Sequence, residues 1–512
     1  VAGPLDHSIA DPQVVVGPDH GLRPAEVVRR TLHGAVSLGG GQVAAQILNI
    51  GGAIVLARLL VPAEFGLVAI LTFFLSLLTA LGDLGLGMSL VRQPVEPSAA
   101  AYRAVATFQQ VVALGVAMVA LAASPWVTRA YGLRPEDWWW LPVMGLAIVA
   151  DSARFLPVAR LERQLAFQRV GAVEITQAVV FNAVLLTLAA AGFRTACFPI
   201  AVLARSTAGA SLANVLGPRL RGWSWDWTTA RRHLAFGLPY QGVHLVAVIR
   251  NSLVPLFVGL LLGKAAVGRL EWAAMVAGFP LTSLIFLQRL YVGSFSRLRD
   301  YPTALGKFVT LIVTLAHAAV APVAVTTLVL IDPIVRLVFG EGWLAAVPLF
   351  RWLWFGCLAA PTIAPLTGLL HALGRSPVVL AAALAGSIVT WAAGVPLVLA
   401  YGETGIAVAS LAVHAAALGI WRTARGAVAF TVLRPAALAW GSAAAVGVAV
   451  WWWETRFPVT SLSELFLCGG AALVAHMIVF GIAGVALLPP LRAALAEGGL
   501  GRFRTALRHS ER

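Results

Sequence analysis

The sequence predicts an all-α polytopic membrane protein of about fourteen transmembrane helices, in two pseudo-symmetric six-helix bundles followed by two further helices. Three observations carry this reading. The composition is 59% hydrophobic and only 12% charged, with a mean hydropathy of +0.86, whereas a soluble domain carries about 25% charged residues. Apolar runs recur at the length of about 20 residues that a hydrocarbon core of roughly 30 Å requires. Lys and Arg alternate between rich and poor connecting loops, as the positive-inside rule demands.

Residues 1–33 are polar and Pro-rich, without the basic segment, short apolar core and small-residue cleavage site of a signal peptide, so a cytoplasmic tail is expected. Spans follow near 34–57, 66–91, 104–124, 138–153, 170–192 and 195–216, giving an N-terminal bundle over 34–216. A C-terminal bundle over 236–421 takes spans near 236–263, 270–288, 308–331, 345–370, 376–400 and 404–421. Two additional spans near 430–453 and 463–489 precede a basic tail, 490–512.

With the N-terminal tail inside, the inner segments hold 26 of the 37 Lys and Arg residues, the outer loops eight and the spans three. Both termini are therefore expected in the cytoplasm, and topology accounts for the net charge of +15 without nucleic acid. Trp138–Trp140 and Trp451–Trp453 fall at outer span ends, where amphipathic rings favour the interface. The segment 154–169 mixes four arginines with apolar residues and is expected to lie along the inner interface. Cys197, Cys357 and Cys468 are odd in number, far apart and set in apolar runs, which reads as packing rather than a disulfide or metal framework.

An internal repeat supports two halves. ARLLVPAEFG (57–66) and GLLLGKAAVG (259–268) lie 202 residues apart, and each ends an apolar helix, turns tightly and restarts at a glycine. An offset of six spans preserves orientation, as in parallel repeats related by an axis along the membrane normal.

The stretch LARLLVPAEFGLVAILTFFLSLLTALGDLGLGMSLVRQ (56–93) resembles the start of the Wzx-type polysaccharide flippase family. That family is the oligosaccharide-lipid branch of the superfamily that also holds MATE exporters and lipid II flippases. RLERQLAFQR (160–169), SFSRLRD (294–300) and DPIVRLVFGEGWLAAVPLFRWL (332–353) resemble further family segments in the same order. The resemblance runs from about residue 32 to 375 and more loosely to the end. It implies a MATE/MurJ-like fold and passage of polyprenyl-diphosphate-linked oligosaccharide from the cytoplasmic to the outer leaflet. The chain departs from the family around the seventh span. RNSLVPLFVGLLLG (250–263) keeps Arg250 and Asn251 but has Val254 and Leu260 where relatives often carry polar residues. In the eighth span, Leu270 and Met275 stand where Tyr and Arg are frequent.

Such transport needs a polar cavity rather than a covalent catalyst, so no catalytic residue, metal or cofactor is expected. Arginine holds phosphate oxygens through a fixed fork of donors. It costs about 2.5–3.5 kcal/mol at a helix centre on the insertion scale, which selects arginines that face a cavity. Arg250 with Asn251, Arg205, Arg351 and Arg58 are the expected substrate contacts. For three of them the competing role is structural: a helix–helix anchor for Arg250, snorkelling for Arg351 and an outer-turn tie for Arg58. Asp83, in GDLGLG, and His244, in the seventh span, are the gating or coupling candidates.

Arginines within spans favour an anionic cargo over the small cations of a MATE-like exporter, and a lipid II-type transporter shares the same physics. A membrane glycosyltransferase or polymerase would carry a larger outer loop, and no GxxxxGK[ST] nucleotide motif is present. The expected partners are a lipid-linked glycan, membrane lipids, and polysaccharide polymerase and export proteins, in a bacterial inner membrane.

Overall fold

In a bilayer, a long apolar run must satisfy its backbone N–H and C=O groups internally, and a helix does this within one segment. The computed structural model describes residues 44–91, 96–164, 166–217 and 222–487, and every regular element in them is helical. The two expected tails lie outside the described residues.

The N-terminal half comprises α1 (Ala44–Leu59), α2 (Pro62–Gly82), the short α3 (Leu86–Val91), α4 (Ala99–Ala130), α5 (Trp140–Arg163), α6 (Phe167–Leu188) and α7 (Cys197–Leu216). Here α4 packs on α5, and α5 and α6 pack on α7. The second half begins with α8 (Trp227–Asn251), α9 (Gly259–Leu261), α10 (Lys264–Gly278) and α11 (Thr282–Arg297). It continues through α12 (Pro302–Val329), α13 (Ile331–Ile334), α14 (Val347–Trp354), α15 (Gly356–Ala372), α16 (Ser376–Tyr401) and α17 (Glu403–Ala427). Last come α18 (Leu433–Arg456), laid against α12, and α19 (Leu462–Leu487), laid against α18 and α12.

Local sequence fixes the helix starts. Pro62 opens α2 where a missing N–H costs nothing, and Glu64 accepts the Val61 N–H at 3.2 Å. Ser98 caps α4 by accepting the Ala101 N–H at 3.1 Å. Asp226 caps α8, accepting the N–H groups of Thr228 and Thr229 at 3.0 and 3.2 Å. The hydroxyls and backbone of those threonines hold the Asp226 carboxyl well below the usual carboxylate range. Between α3 and α4, burial pushes the Glu96 carboxyl up, but hydrogen bonds from Arg163 and Tyr102 outweigh it and leave it lowered.

The halves meet at both ends of the bundle. At the predicted outer end, α2 crosses α10 through two glycines that are 202 residues apart, Gly66 and Gly268. A Cβ on Gly66 would lie 1.8 Å from the Lys264 carbonyl oxygen, and one on Gly268 would lie 1.8 Å from that of Pro62. Lys264 itself follows Pro62 by 202 residues, so one contact is repeated about a pseudo-twofold axis. An aromatic cluster seals the same end. Trp272 stacks on Trp343 at 5.5 Å, and Phe65 and Phe339 meet these indoles edge-on, each at 5.3 Å. The Trp343 indole donates to the Ala57 carbonyl across the halves at 2.9 Å. At the predicted inner end, a Cβ on Gly237 of α8 would lie 2.2 Å from the Leu84 carbonyl oxygen. Gln241 donates to the Ala80 carbonyl at 3.1 Å, again across the halves.

Several boundaries differ from expectation. Among the described residues, nine helices are long and apolar enough to cross a membrane, or ten if one bent pair counts as a span. The expected fourteen is not reached by that measure. Residues 167–216 register as one segment although α6 and α7 pack against each other, α1 is described only from Ala44, and α10 and α11 are 15 and 16 residues long. Arg154, Arg160 and Arg163 continue α5 rather than forming a separate interfacial segment. Helix α15 runs through both Pro361 and Pro365. A 44° bend falls between Trp354 and Gly356.

Candidate functional site

Between the halves lies a cavity of about 770 Å³, walled by α1, α2, α6 and α7 from one side and by α8 and α10 from the other. It lies between the two regions where the halves touch.

The wall contributed by α8 follows helical periodicity. His244, Ala247, Val248 and Asn251 line the cavity at successive intervals of three, one and three residues, which is one face of an α-helix. Past Asn251 the helix widens into a π-turn over Leu253–Val258 around Pro255, which also lines the cavity. Proline brings no backbone N–H to the helical ladder, and π-turns of this kind recur at functional sites. The Tyr131 hydroxyl donates to the Pro255 carbonyl at 3.0 Å, fixing the widened turn to the other half.

Of the expected substrate residues, Arg205 and Asn251 line this cavity, together with the coupling candidate His244. The Arg205 guanidinium sits 5.3 Å from the centre of the Phe181 ring, itself a lining residue. Arg250 is not among the lining residues. One position before Asn251, it is rotated about 100° off the cavity face, and its Nε donates to Asn251 Oδ1 at 3.4 Å. Arg351 also lies away from the cavity, paired with Asp332 at 3.6 Å with both side chains more than half exposed. Arg58 donates to the Arg336 carbonyl at 3.5 Å and so ties down the predicted outer end. Asp83 terminates α2, its carboxylate accepting the Gly85 N–H at 3.0 Å in the break before α3.

Two charged lining residues were not among those expected, Glu174 and Glu271. Near Glu174, Asp151 pairs with Arg154 at 2.6 Å and accepts from Gln177 at 3.3 Å. Among the described residues, Glu271 has no hydrogen-bond or ion-pair partner. The sequence signal for it was a carboxylate one position inside the expected start of the eighth span, where it passes for an interfacial residue. The amides of Asn49, Gln177 and Asn182 complete the polar lining, with Asn182 donating to Asn49 at 2.9 Å. The cavity thus presents both signs of charge in a largely apolar wall. Among the described residues, no group of three or more His, Cys, Asp or Glu could hold a metal.

The sequence model of the polysaccharide biosynthesis protein family matches residues 55–348, more than half of the chain. No curated protein matches the sequence. Among solved structures, the lipid II flippase MurJ in an inward closed conformation superposes with a TM-score of 0.73 at 13% identity, covering 88% of this chain and 100% of that one. An inward-facing multidrug resistance MATE family transporter of the MOP superfamily gives a TM-score of 0.60 at 13% identity, covering 75% and 94%. At these identities the likeness is one of fold. With its all-helical architecture of two halves about a shared cavity, this multi-pass membrane protein belongs to the polysaccharide biosynthesis protein family and has the fold shared by MurJ and MATE transporters.

Proposed function

We propose that the chain is a flippase that carries polyprenyl-diphosphate-linked oligosaccharide from the cytoplasmic to the outer leaflet of a bacterial inner membrane, for surface polysaccharide export. The observation that carries this reading is the cavity between the halves, with Arg205 on its wall, in a member of a polysaccharide biosynthesis family. Arg205 is the phosphate contact, and Asn251 with the neighbouring amides receives sugar hydroxyls. The polyprenyl tail stays in lipid, and the halves rock so that the α2–α10 crossing closes one face and parts as the other opens. No bond is made or broken, so the protein acts as a transporter with no cofactor. Both termini face the cytoplasm, and polymerase and export proteins receive the product.

Depletion of the protein tests the reading. Lipid-linked glycan should build up on the cytoplasmic leaflet, with recovery on expression of the wild-type chain and not of Arg205→Ala. A MATE-like cation exporter is the second reading, favoured by Glu174 and Glu271 in the cavity. Under it, depletion would leave glycan export normal and change resistance to cationic compounds.

A further inference from the structure

Glu271 is the feature of the cavity that a purely anionic cargo does not explain. It lies on α10, one helical turn beyond Gly268, and reaches the cavity from the C-terminal half. A carboxylate in a largely apolar wall is costly unless something pairs with it. Nothing within the protein does so among the described residues. The adjacent basic residue, Arg269, is committed elsewhere, pairing with Glu403 of α17 at 2.9 Å. Arg205 shares the cavity with Glu271 but makes no ion pair with it.

The repeat shows that the fold itself does not call for an acid at this position. The residue 202 positions before Glu271 is Ala69 of α2, and Ala69 lines the same cavity. The next turn repeats the relation, with Phe73 and Met275 both lining it. Equivalent faces of α2 and α10 therefore look into the cavity, and only the α10 face is charged. The carboxylate is an asymmetry of the binding surface rather than a packing requirement.

We propose that Glu271 receives a cationic amine of the cargo. The transported headgroup is then dipolar: a diphosphate held by Arg205 and, further along, a sugar bearing a free ammonium group held by Glu271. This rests on the flippase reading above and narrows its substrate class to glycans with an unacetylated amino sugar or a comparable amine substituent. With no protein partner among the described residues, the carboxylate discriminates against neutral analogues, because a cargo without the amine leaves it unsatisfied.

Binding of two short-chain probes to the purified full-length protein tests this. The probes are farnesyl-diphosphate-linked glucosamine and its N-acetyl counterpart, titrated at about pH 6.5, where the amine is protonated. The wild-type chain should bind the free-amine probe about 10- to 100-fold more tightly, the span expected of a hydrogen bond between charged groups. Glu271→Gln should bring the two affinities together by weakening the amine probe alone, and Glu271→Asp should retain part of the preference. Equal binding of both probes by the wild-type chain overturns the proposal, and that comparison needs no variant to fold. A preference that survives in Glu271→Gln overturns it too. Loss of pH-gradient dependence in Glu271→Gln without amine discrimination would give the carboxylate to ion coupling instead, which also overturns it. Binding of neither probe would count against the flippase reading itself and remove this proposal with it.

Discussion

Replacing Gly268 with alanine should pry the predicted outer end open. The new Cβ would lie 1.8 Å from the Pro62 carbonyl oxygen, against 3.4 Å for ordinary contact. Both partners are backbone on helices, so no side chain can swing away, and α10 must move outward from α2 by about 1.6 Å. Overpacking of this size costs about 1–3 kcal/mol. Only conformations that keep this crossing bear the cost, so the balance shifts by roughly 5- to 150-fold toward those that separate it. The assay places a single cysteine at Ala69 in a cysteine-free background and follows labelling by an impermeant maleimide applied from the predicted outer face. Gly268→Ala should accelerate labelling, and Gly66→Ala should do the same, because its Cβ would meet the Lys264 carbonyl at the same 1.8 Å. Unchanged labelling in both variants, each folded with an ordinary melting curve, would refute the view that this crossing closes the outer end.

Trp343→Phe should lower stability by about 1–3 kcal/mol, since it strands the buried Ala57 carbonyl that now accepts the indole at 2.9 Å; thermal unfolding in detergent reads this. Arg205→Ala should reduce transport about tenfold or more, and Arg205→Lys should restore only part, because an ammonium keeps the charge but not the planar fork over Phe181; leaflet accumulation of glycan measures both. The α8 cap should show a pH signature. The Asp226 carboxyl is lowered in the folded state, so its stabilisation is present above the unfolded value near about 4 and is lost as pH falls through the folded one. The melting temperature of Asp226→Ala should accordingly lie below that of wild type at neutral pH, with the gap narrowing as pH drops under about 4.

Much of the fold was readable because bilayer physics leaves few choices. Apolar length and charge alternation located the helices, and the match between 57–66 and 259–268 anticipated the two glycines that meet at the α2–α10 crossing. The site was less legible, because lining a cavity depends on helix rotation as well as depth. Arg250 has the depth but sits off the face set by His244, Ala247, Val248 and Asn251. Asn251, seven residues beyond His244, falls on that face and Arg250, six beyond it, does not. Glu271 looked interfacial because α10 starts at Lys264, six residues before the expected span, which draws the carboxylate inside. Helix α15 runs through Pro361 and Pro365, while the bend falls at the aromatic stretch ending in Phe355, where no single residue type announces it.

The most direct test of the central claim is reconstitution of the full-length chain into liposomes with a fluorescent polyprenyl-diphosphate-linked oligosaccharide confined to one leaflet. Exposure of the glycan to an impermeant oxidant on the other side reports transfer. The account predicts protein-dependent transfer that Arg205→Ala slows about tenfold or more. Equal exposure with and without the protein, or full transfer by Arg205→Ala, would contradict it.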